Sequence, residues 1–294
     1  MAQRKIIRTI VAMTRNAAIT RCLARGPPTI SIRHLPPTRH RARLRRVGHL
    51  GDIEIIGHRG YAARAPENTL MSLEAALTAG ARAVEFDVHV ASCGTPVIIH
   101  DDVLDRTTDG SGPVSGQTVE QLRTLDAGSW FDPEFAGERI PTLADALDRV
   151  ADRALHIYPE VKEIREPSDV DRIVRIVRDS TMSNRTTFIS IDWSILERVR
   201  AVDATVRIGF IVVTADLFDQ ALSLALADRV AVLDLSHEIA LDDPSMVRRA
   251  KDEGVDVLTW TVNELDEAVR LRQAGVTGFT TDHVDRLLTW AGQD

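Results

Sequence analysis

From residue 53 onward, short β-branched and aliphatic runs alternate with stretches whose apolar positions recur at helical spacing. Ile53, Ile55 and Ile56 predict a strand, and Gly57 and Gly60 stop it around His58 and Arg59. Pro66-Glu67-Asn68-Thr69 then turns the chain into a helix. Asn68 or Thr69 can cap it, and Leu70, Leu73, Ala76 and Leu77 share one face. Further strands are predicted at 83–88, 97–100, 155–161, 187–190, 207–213, 231–235, 255–260 and 278–281. Helices are expected at 142–150, from Ser168 as cap with Asp171 as its capping-box partner, from Trp193, from Ala215, from Pro244, and at 264–274 and 284–290. A Gly-, Thr- and Asp-rich region fills 101–139.

Repeated βα units over about 240 residues define an α/β chain and favour a closed (β/α)8 TIM barrel over an open doubly wound sheet. Closure is preferred because nearly every predicted strand ends in a polar residue, as expected where barrel strands open onto a site.

Charge divides the chain in two. Residues 1–50 hold 12 of the 36 Lys and Arg and no Asp or Glu, leaving 24 basic against 43 acidic residues, a net −19, in the remainder. The first 50 residues, with Pro27-Pro28, Pro36-Pro37 and an Arg-rich run at 39–46, are expected to form a disordered basic tail ahead of a domain at 51–294. This stretch reads as a solvated tail, as sequence upstream of a start near Val47, or as an organellar transit peptide. The acidic body argues against a nucleic-acid partner and suits a cation site. No run approaches a transmembrane segment, and Ile10–Met13 is far shorter than a secretory core. Two cysteines, Cys22 and Cys93, offer neither a disulfide framework nor metal-ligand spacing, so a reducing, cytoplasmic setting is the expectation.

In Glu85-Phe86-Asp87 the two carboxylates recur every second residue of a strand, about 6.6 Å apart on one face. That face is an exposed polar edge, or it is the interior, where burying two acids would cost several kcal/mol each unless a cation joined them. Tyr158-Pro159-Glu160-Val161-Lys162 repeats the pattern with a third acid and a positive charge, though Glu-x-Lys alone is commonly a surface ion pair. His100 ends a strand run, as His58 does. His89 extends the carboxylate face and is expected to be a simple polar position or an outer support. Trp130 and Phe131 form either a hydrophobic lip or the small core of their own region, and Asp192 and Trp193 stand at a later strand end.

These residues resemble those of the glycerophosphodiester phosphodiesterases. The likeness is carried by Gly57-His58-Arg59-Gly60, Pro66-Glu67-Asn68-Thr69, Glu85-Phe86-Asp87-Val88, the stretch from Pro96 to Asp101, Leu104-Asp105-Arg106-Thr107-Thr108, Tyr158-Pro159-Glu160-Val161-Lys162, Trp260-Thr261-Val262-Asn263 and Thr281-Asp282, in the family's order. It implies a barrel with a small insertion after the second barrel segment, about 101–139. It further implies metal ligands Glu85, Asp87 and Glu160, an acid-base pair His58 and His100, phosphate contacts from Arg59 and Lys162, and Trp260 against the glycerol part. Glu67 and Asn68 would brace the loop that carries His58. One divalent cation, Mg²⁺ or Ca²⁺, and a small-molecule phosphodiester substrate are the expected partners. Hydrolysis to glycerol 3-phosphate and an alcohol is the implied reaction. A lysophospholipase D-type cleavage, a product that stops at a cyclic phosphate, and a non-catalytic phosphoester-binding barrel are the alternatives. The chain departs from the family's usual pattern at Cys93 and after Asp282, where His283-Val284 replaces an expected proline.

Overall fold

The computed structural model describes residues 53–228 and 231–292. The basic stretch 1–50 lies outside the described residues. Among the described residues nine strands form one sheet, of which eight are parallel and close on themselves. These are β1 (Glu54–Gly57), β2 (Ala83–Val90), β4 (His156–Val161), β5 (Thr187–Ser190), β6 (Arg207–Val212), β7 (Ala231–Ser236), β8 (Val257–Trp260) and β9 (Gly278–Thr281). The barrel closes where β1 pairs with both β9 and β2. Around it run α1 (Leu70–Ala79), a short α2 (Val119–Leu122) in the insertion, α3 (Leu143–Val150), α4 (Pro167–Arg178), α5 (Trp193–Val202), α6 (Phe218–Ala227), α7 (His237–Asp242), α8 (Pro244–Asp252), α9 (Leu265–Ala274) and α10 (Val284–Ala291). The (β/α)8 barrel expected from the strand pattern is the fold. No helix among the described residues is long and apolar enough to cross a membrane.

All eight residues of β2 are buried, as parallel strands covered on both faces must be. Val84, Phe86 and Val88 point into the layer between sheet and helices. Ala83 and, by the two-residue period, Glu85 and Asp87 point inward, where Ile56, Tyr158, Ile189, Ile211, Val232 and Leu258 fill the barrel. Burial of a side chain such as Phe86, which has no exposed surface, is worth about 1.5–3 kcal/mol. That outward packing fixes the strand register and holds the inward acids in place against their own desolvation.

The run at 97–100 is not a barrel stave. β3 (Pro96–Ile98) pairs antiparallel with β2 through a tight turn in which Ala91 N–H donates to Thr95 O (2.9 Å) and Gly94 sits at φ 85°. A parallel crossover needs a dozen or more residues, and only five separate these two strands. The hairpin leads into the insertion, which packs its own small core of Ala91, Val97, Ile99, Leu104, Leu122 and Ile140. Trp130 and Phe131 stand outside that core. They stack edge to face with each other (5.7 Å), Phe131 stacks on Phe135 (5.6 Å), and Trp130 is 39% exposed.

At α1, α3 and α5 the helix start follows side-chain capping, the helix expected from Ala215 begins with a 3-10 turn and becomes α-helical at Phe218, and at α4 the cap differs from the expected residue. Thr69 caps α1 by accepting from Ser72 N–H, and Thr142 and Asp145 form a reciprocal capping box on α3. On α4 the cap is Glu166 with Asp169 as its box partner, two residues earlier than Ser168 and Asp171. Pro167 at the first helical position fixes the start. Asp192 caps α5, and Trp193 Nε1 donates to Ile211 O, so both serve the fold.

His156 is buried at the start of β4, its Nε2 2.8 Å from Thr187 Oγ1. Burial, and then the charges of Arg207 and Arg185, push its pKa down to about 3. A histidine held neutral in the fold stabilises fully above the unfolded value of about 6.5 and loses that contribution as pH falls toward the folded value. Stability is therefore expected to drop by up to about 1.4 kcal/mol per pH unit below pH 6 from this residue. Urea unfolding of wild type and His156→Gln at pH 7 and pH 5 checks it: the variant should lose less between the two.

Candidate active site

The site lies at the carboxyl ends of the barrel strands. After β1, the chain makes a sharp turn at 57–60. A Cβ on Gly57 would lie 2.4 Å from Gly60 O, and one on Gly60 2.4 Å from the Ser72 backbone, so both positions require glycine. Between them Arg59 adopts φ 52°, a left-handed backbone costing on the order of 1–3 kcal/mol. The turn is over-determined. Arg59 N–H donates to Glu85 Oε2 (2.8 Å), and Arg59 O accepts from Asn68 N–H (3.0 Å) and Ser72 Oγ (2.9 Å). The strained turn thus aims the His58 and Arg59 side chains into the mouth and ties them to the first acid.

Glu85, Asp87 and Glu160 meet there, each offering an oxygen within 4.8 Å of the others. β2 and β4 pair Asp87 with Glu160 in register, which brings the third acid alongside the first two. Asp87 is clamped by Asn68, whose Nδ2 donates to Oδ2 (2.7 Å) and whose Oδ1 accepts the Asp87 N–H (3.1 Å). Asn68 holds its own backbone at φ 60°, a conformation asparagine tolerates better than most residues. Glu85 Oε1 and Glu160 Oε1 are buried with no hydrogen-bond partner. Burial and the neighbouring charges of Asp87 and Glu160 hold Glu85 well above the usual carboxylate range. Asp87 lies well below that range: burial opposes its charge but is outweighed by Lys162, His100 and Arg59 and by the Asn68 hydrogen bond. Buried, unpartnered, mutually repelling oxygens fit a hard divalent cation, whose ligands sit at about 2.0–2.6 Å.

Each predicted histidine is oriented by a carboxylate on its Nδ1. His58 Nδ1 lies 2.7 Å from Asp282 Oδ1, and His100 Nδ1 lies 2.6 Å from Asp101 Oδ1. Asp282 is itself held by Asn263, which donates to Oδ2 (2.8 Å) and accepts the Asp282 N–H (2.9 Å). Burial works to raise Asp282, but the hydrogen bond and charge of His58 and the Asn263 bond prevail and bring it down to about 2. An ionised acceptor on Nδ1 fixes the proton there and leaves Nε2 as each ring's free face. His89 takes the outer-support role: it is buried, and its Nε2 donates to His100 O (3.0 Å), fixing the backbone beneath the second histidine.

Lys162 is brought into the acid cluster, with Nζ 2.8 Å from Glu160 Oε2 and 3.1 Å from Asp87 Oδ1. Burial acts to lower its pKa, but Asp87 and Glu160 outweigh this and hold it charged. Trp260 ends β8 at the mouth with a buried, unpartnered Nε1–H. Glu67 braces Arg59 by accepting from Nη1 at 2.7 Å, as expected of the loop. Asp101, Asp282, Asn263 and Arg106 carry part of the family resemblance without a role readable from the sequence, and the structure sets them around the site. The adjacency in His100-Asp101 is a local signal that could have found one of them; Asp282 is 224 residues from His58 in sequence and gives no such signal.

Fold and mouth together define a barrel enzyme that gathers acids, imidazoles and fixed positive charge at the carboxyl ends of its strands, the equipment of phosphoester cleavage. The sequence profile of the Glycerophosphoryl diester phosphodiesterase family matches residues 58–286. The chain belongs to that family and is a phosphoric diester hydrolase. It is 30% identical over 236 residues to a glycerophosphodiester phosphodiesterase of Caldanaerobacter subterraneus, covering 80% of this chain and 96% of the relative. A putative glycerophosphodiester phosphodiesterase of Bacillus subtilis is 32% identical over 241 residues, with 80% and 96% covered. Among solved structures, an Oleispira antarctica phosphodiesterase in complex with the product sn-glycerol-3-phosphate superposes with a TM-score of 0.74 at 28% identity. The match covers 83% of this chain and 98% of that one.

Proposed function

We propose that this protein hydrolyses glycerophosphodiesters to glycerol 3-phosphate and an alcohol, using a cation held by Glu85, Asp87 and Glu160 and an acid-base pair of His58 and His100. The observation that carries the reading is the convergence of three acids, two of them with unpartnered buried oxygens, beside two histidines each oriented through Nδ1 by an aspartate. The product bound by the Oleispira relative supports the substrate class.

A divalent cation there, Mg²⁺ or Ca²⁺, would supply positive charge against the phosphoryl oxygens and oppose the diester's repulsion of a nucleophile. The chain's own groups do the rest. Arg59, tethered by Glu67 and Asp87, offers a fixed positive charge to the phosphate. Lys162, paired with Asp87 and Glu160, adds to the positive field at the phosphate. Trp260 provides a flat apolar wall with one N–H for the glycerol part. One imidazole Nε2 takes the proton of the attacking oxygen, from water or from a neighbouring substrate hydroxyl, as the new P–O bond forms. The other gives its proton to the departing alcohol oxygen as the old P–O bond breaks. The exposed Cys93 thiol accords with a reducing cytoplasmic setting.

The assay is release of glycerol 3-phosphate from glycerophosphocholine with Mg²⁺ or Ca²⁺ added and with chelator. Cation-dependent release is expected. Choline phosphate as the product, or equal rates in excess chelator, would refute the reading. A preference for lysophosphatidylcholine would move it to the lysophospholipase D type, with the exposed Trp130 and the half-buried Phe131 packed against it as the first residues to vary.

A further inference from the structure

We propose that Arg106, carried by the insertion, is a positioning residue that couples His100 to Arg59, so that the insertion sets the geometry of two arms of the site at once. The proposal rests on the reading of the site given above.

Arg106 touches neither of the groups it would align. Its Nε donates to Asp101 Oδ2 (2.7 Å) and its Nη2 to Asp101 Oδ1 (3.0 Å), while Nη1 donates to Glu67 Oε2 (2.9 Å) and Nη2 to Glu67 Oε1 (2.8 Å). One planar guanidinium therefore forks two carboxylates. Each of those carboxylates then holds a site group: Asp101 Oδ1 takes the Nδ1–H of His100 (2.6 Å), and Glu67 Oε1 takes Nη1–H of Arg59 (2.7 Å). The chain of contacts from His100 to Arg59 runs through two shared oxygens, Asp101 Oδ1 and Glu67 Oε1. Each accepts from Arg106 on one side and from the site group on the other.

The elements joined are far apart in sequence. Glu67 lies ahead of α1 and Arg106 lies 39 residues on, in the insertion. Asp101 is 25% and Glu67 12% exposed while Arg106 itself is 42% exposed, so it is the two-pronged geometry on each carboxylate, more than burial, that gives these bonds their strength. A mere latch for the insertion would need one carboxylate. Forking both of those that hold site groups is what a positioning role requires. Lysine, a single point charge, cannot reproduce a double fork.

The test separates this proposal from the reading beneath it by using a readout that does not need turnover. In ¹⁵N-labelled protein, the His100 Nδ1 proton reports its bond to Asp101. Glu67→Gln does not touch His100, yet it is expected to move that resonance in the wild-type background and to leave it unmoved in Arg106→Ala. In turnover, Asp101→Asn should act mainly on kcat and Glu67→Gln mainly on KM. Their combined effect on kcat/KM should deviate from the product of the single effects by about tenfold with Arg106 present and by less than about twofold without it. Arg106→Lys should behave like Arg106→Ala, and guanidinium ion should partly restore the alanine variant. If Arg106→Ala fails to fold, Arg106→Lys carries the same cycle. A His100 resonance indifferent to Glu67→Gln, or independent Asp101 and Glu67 effects with Arg106 present, overturns the coupling. An inactive wild type with an intact spectroscopic coupling would instead remove the diesterase reading alone.

Discussion

Replacing His58 or His100 with alanine is expected to lower kcat on glycerophosphocholine about 10²–10⁴-fold, the range a positioned acid or base contributes. Stability should fall by only about 1 kcal/mol, because each ring is partly exposed and loses a single hydrogen bond to its aspartate. The two variants should differ in one informative way. An alcohol that leaves easily needs no proton, so a substrate with a nitrophenol leaving group should restore much of the rate to whichever variant lacks the acid, and none to the one that lacks the base. Asp282→Asn and Asp101→Asn are expected to fall between wild type and these variants, since an amide in place of the acceptor no longer fixes the proton on Nδ1. Turnover within threefold of wild type in either alanine variant removes that histidine from the acid-base pair.

The second large effect concerns the acids. Glu85→Gln is expected to weaken cation binding by two orders of magnitude or more while leaving the cation-free protein as stable as wild type, or more so. Without a cation, Glu85 is held well above the usual carboxylate range by burial and by Asp87 and Glu160, so its ionised form destabilises the fold. Glutamine keeps the oxygen that accepts the Arg59 N–H and removes the repulsion. With the cation present the balance reverses, because a ligand that binds only the folded state stabilises it by RT ln(1 + [L]/Kd), about 2.7 kcal/mol at one hundred times Kd. The same logic gives a pH dependence: proton and cation compete for Glu85, so cation affinity should rise with pH. Thermal unfolding of both proteins across a Mg²⁺ or Ca²⁺ titration measures all of this. A cation shift in Glu85→Gln equal to that of wild type would take Glu85 out of the ligand set.

Much of this protein could be read before its shape was known, and the reasons are local. The strand at 83–88 alternates because a β-strand does, and that period put Glu85 and Asp87 on one face. The 57–60 turn showed as two glycines around two polar residues, and their need for glycine is a matter of neighbouring backbone. Ser168 has a capping side chain, but Pro167 has its φ pre-set for the first helical position, and Glu166 with Asp169 closes the box around that earlier start. The strand expected at 97–100 carries no sign of direction in its composition, and the five-residue link before it leaves only an antiparallel return.

The amino-acid order by itself determined the repeating βα pattern, the shared face of Glu85 and Asp87 and the histidines at strand ends, since each depends on residues a few positions apart. Tertiary structure alone decided which carboxylate serves which histidine, that Lys162 lies among the acids, and that Arg106 spans Asp101 and Glu67. Barrel closure brings the end of β9 beside the end of β1, and only that pairing of first and last strands puts Asp282 against His58. Spacing along a chain encodes which face a side chain takes, whereas contact between distant segments depends on how the whole sheet curls and closes.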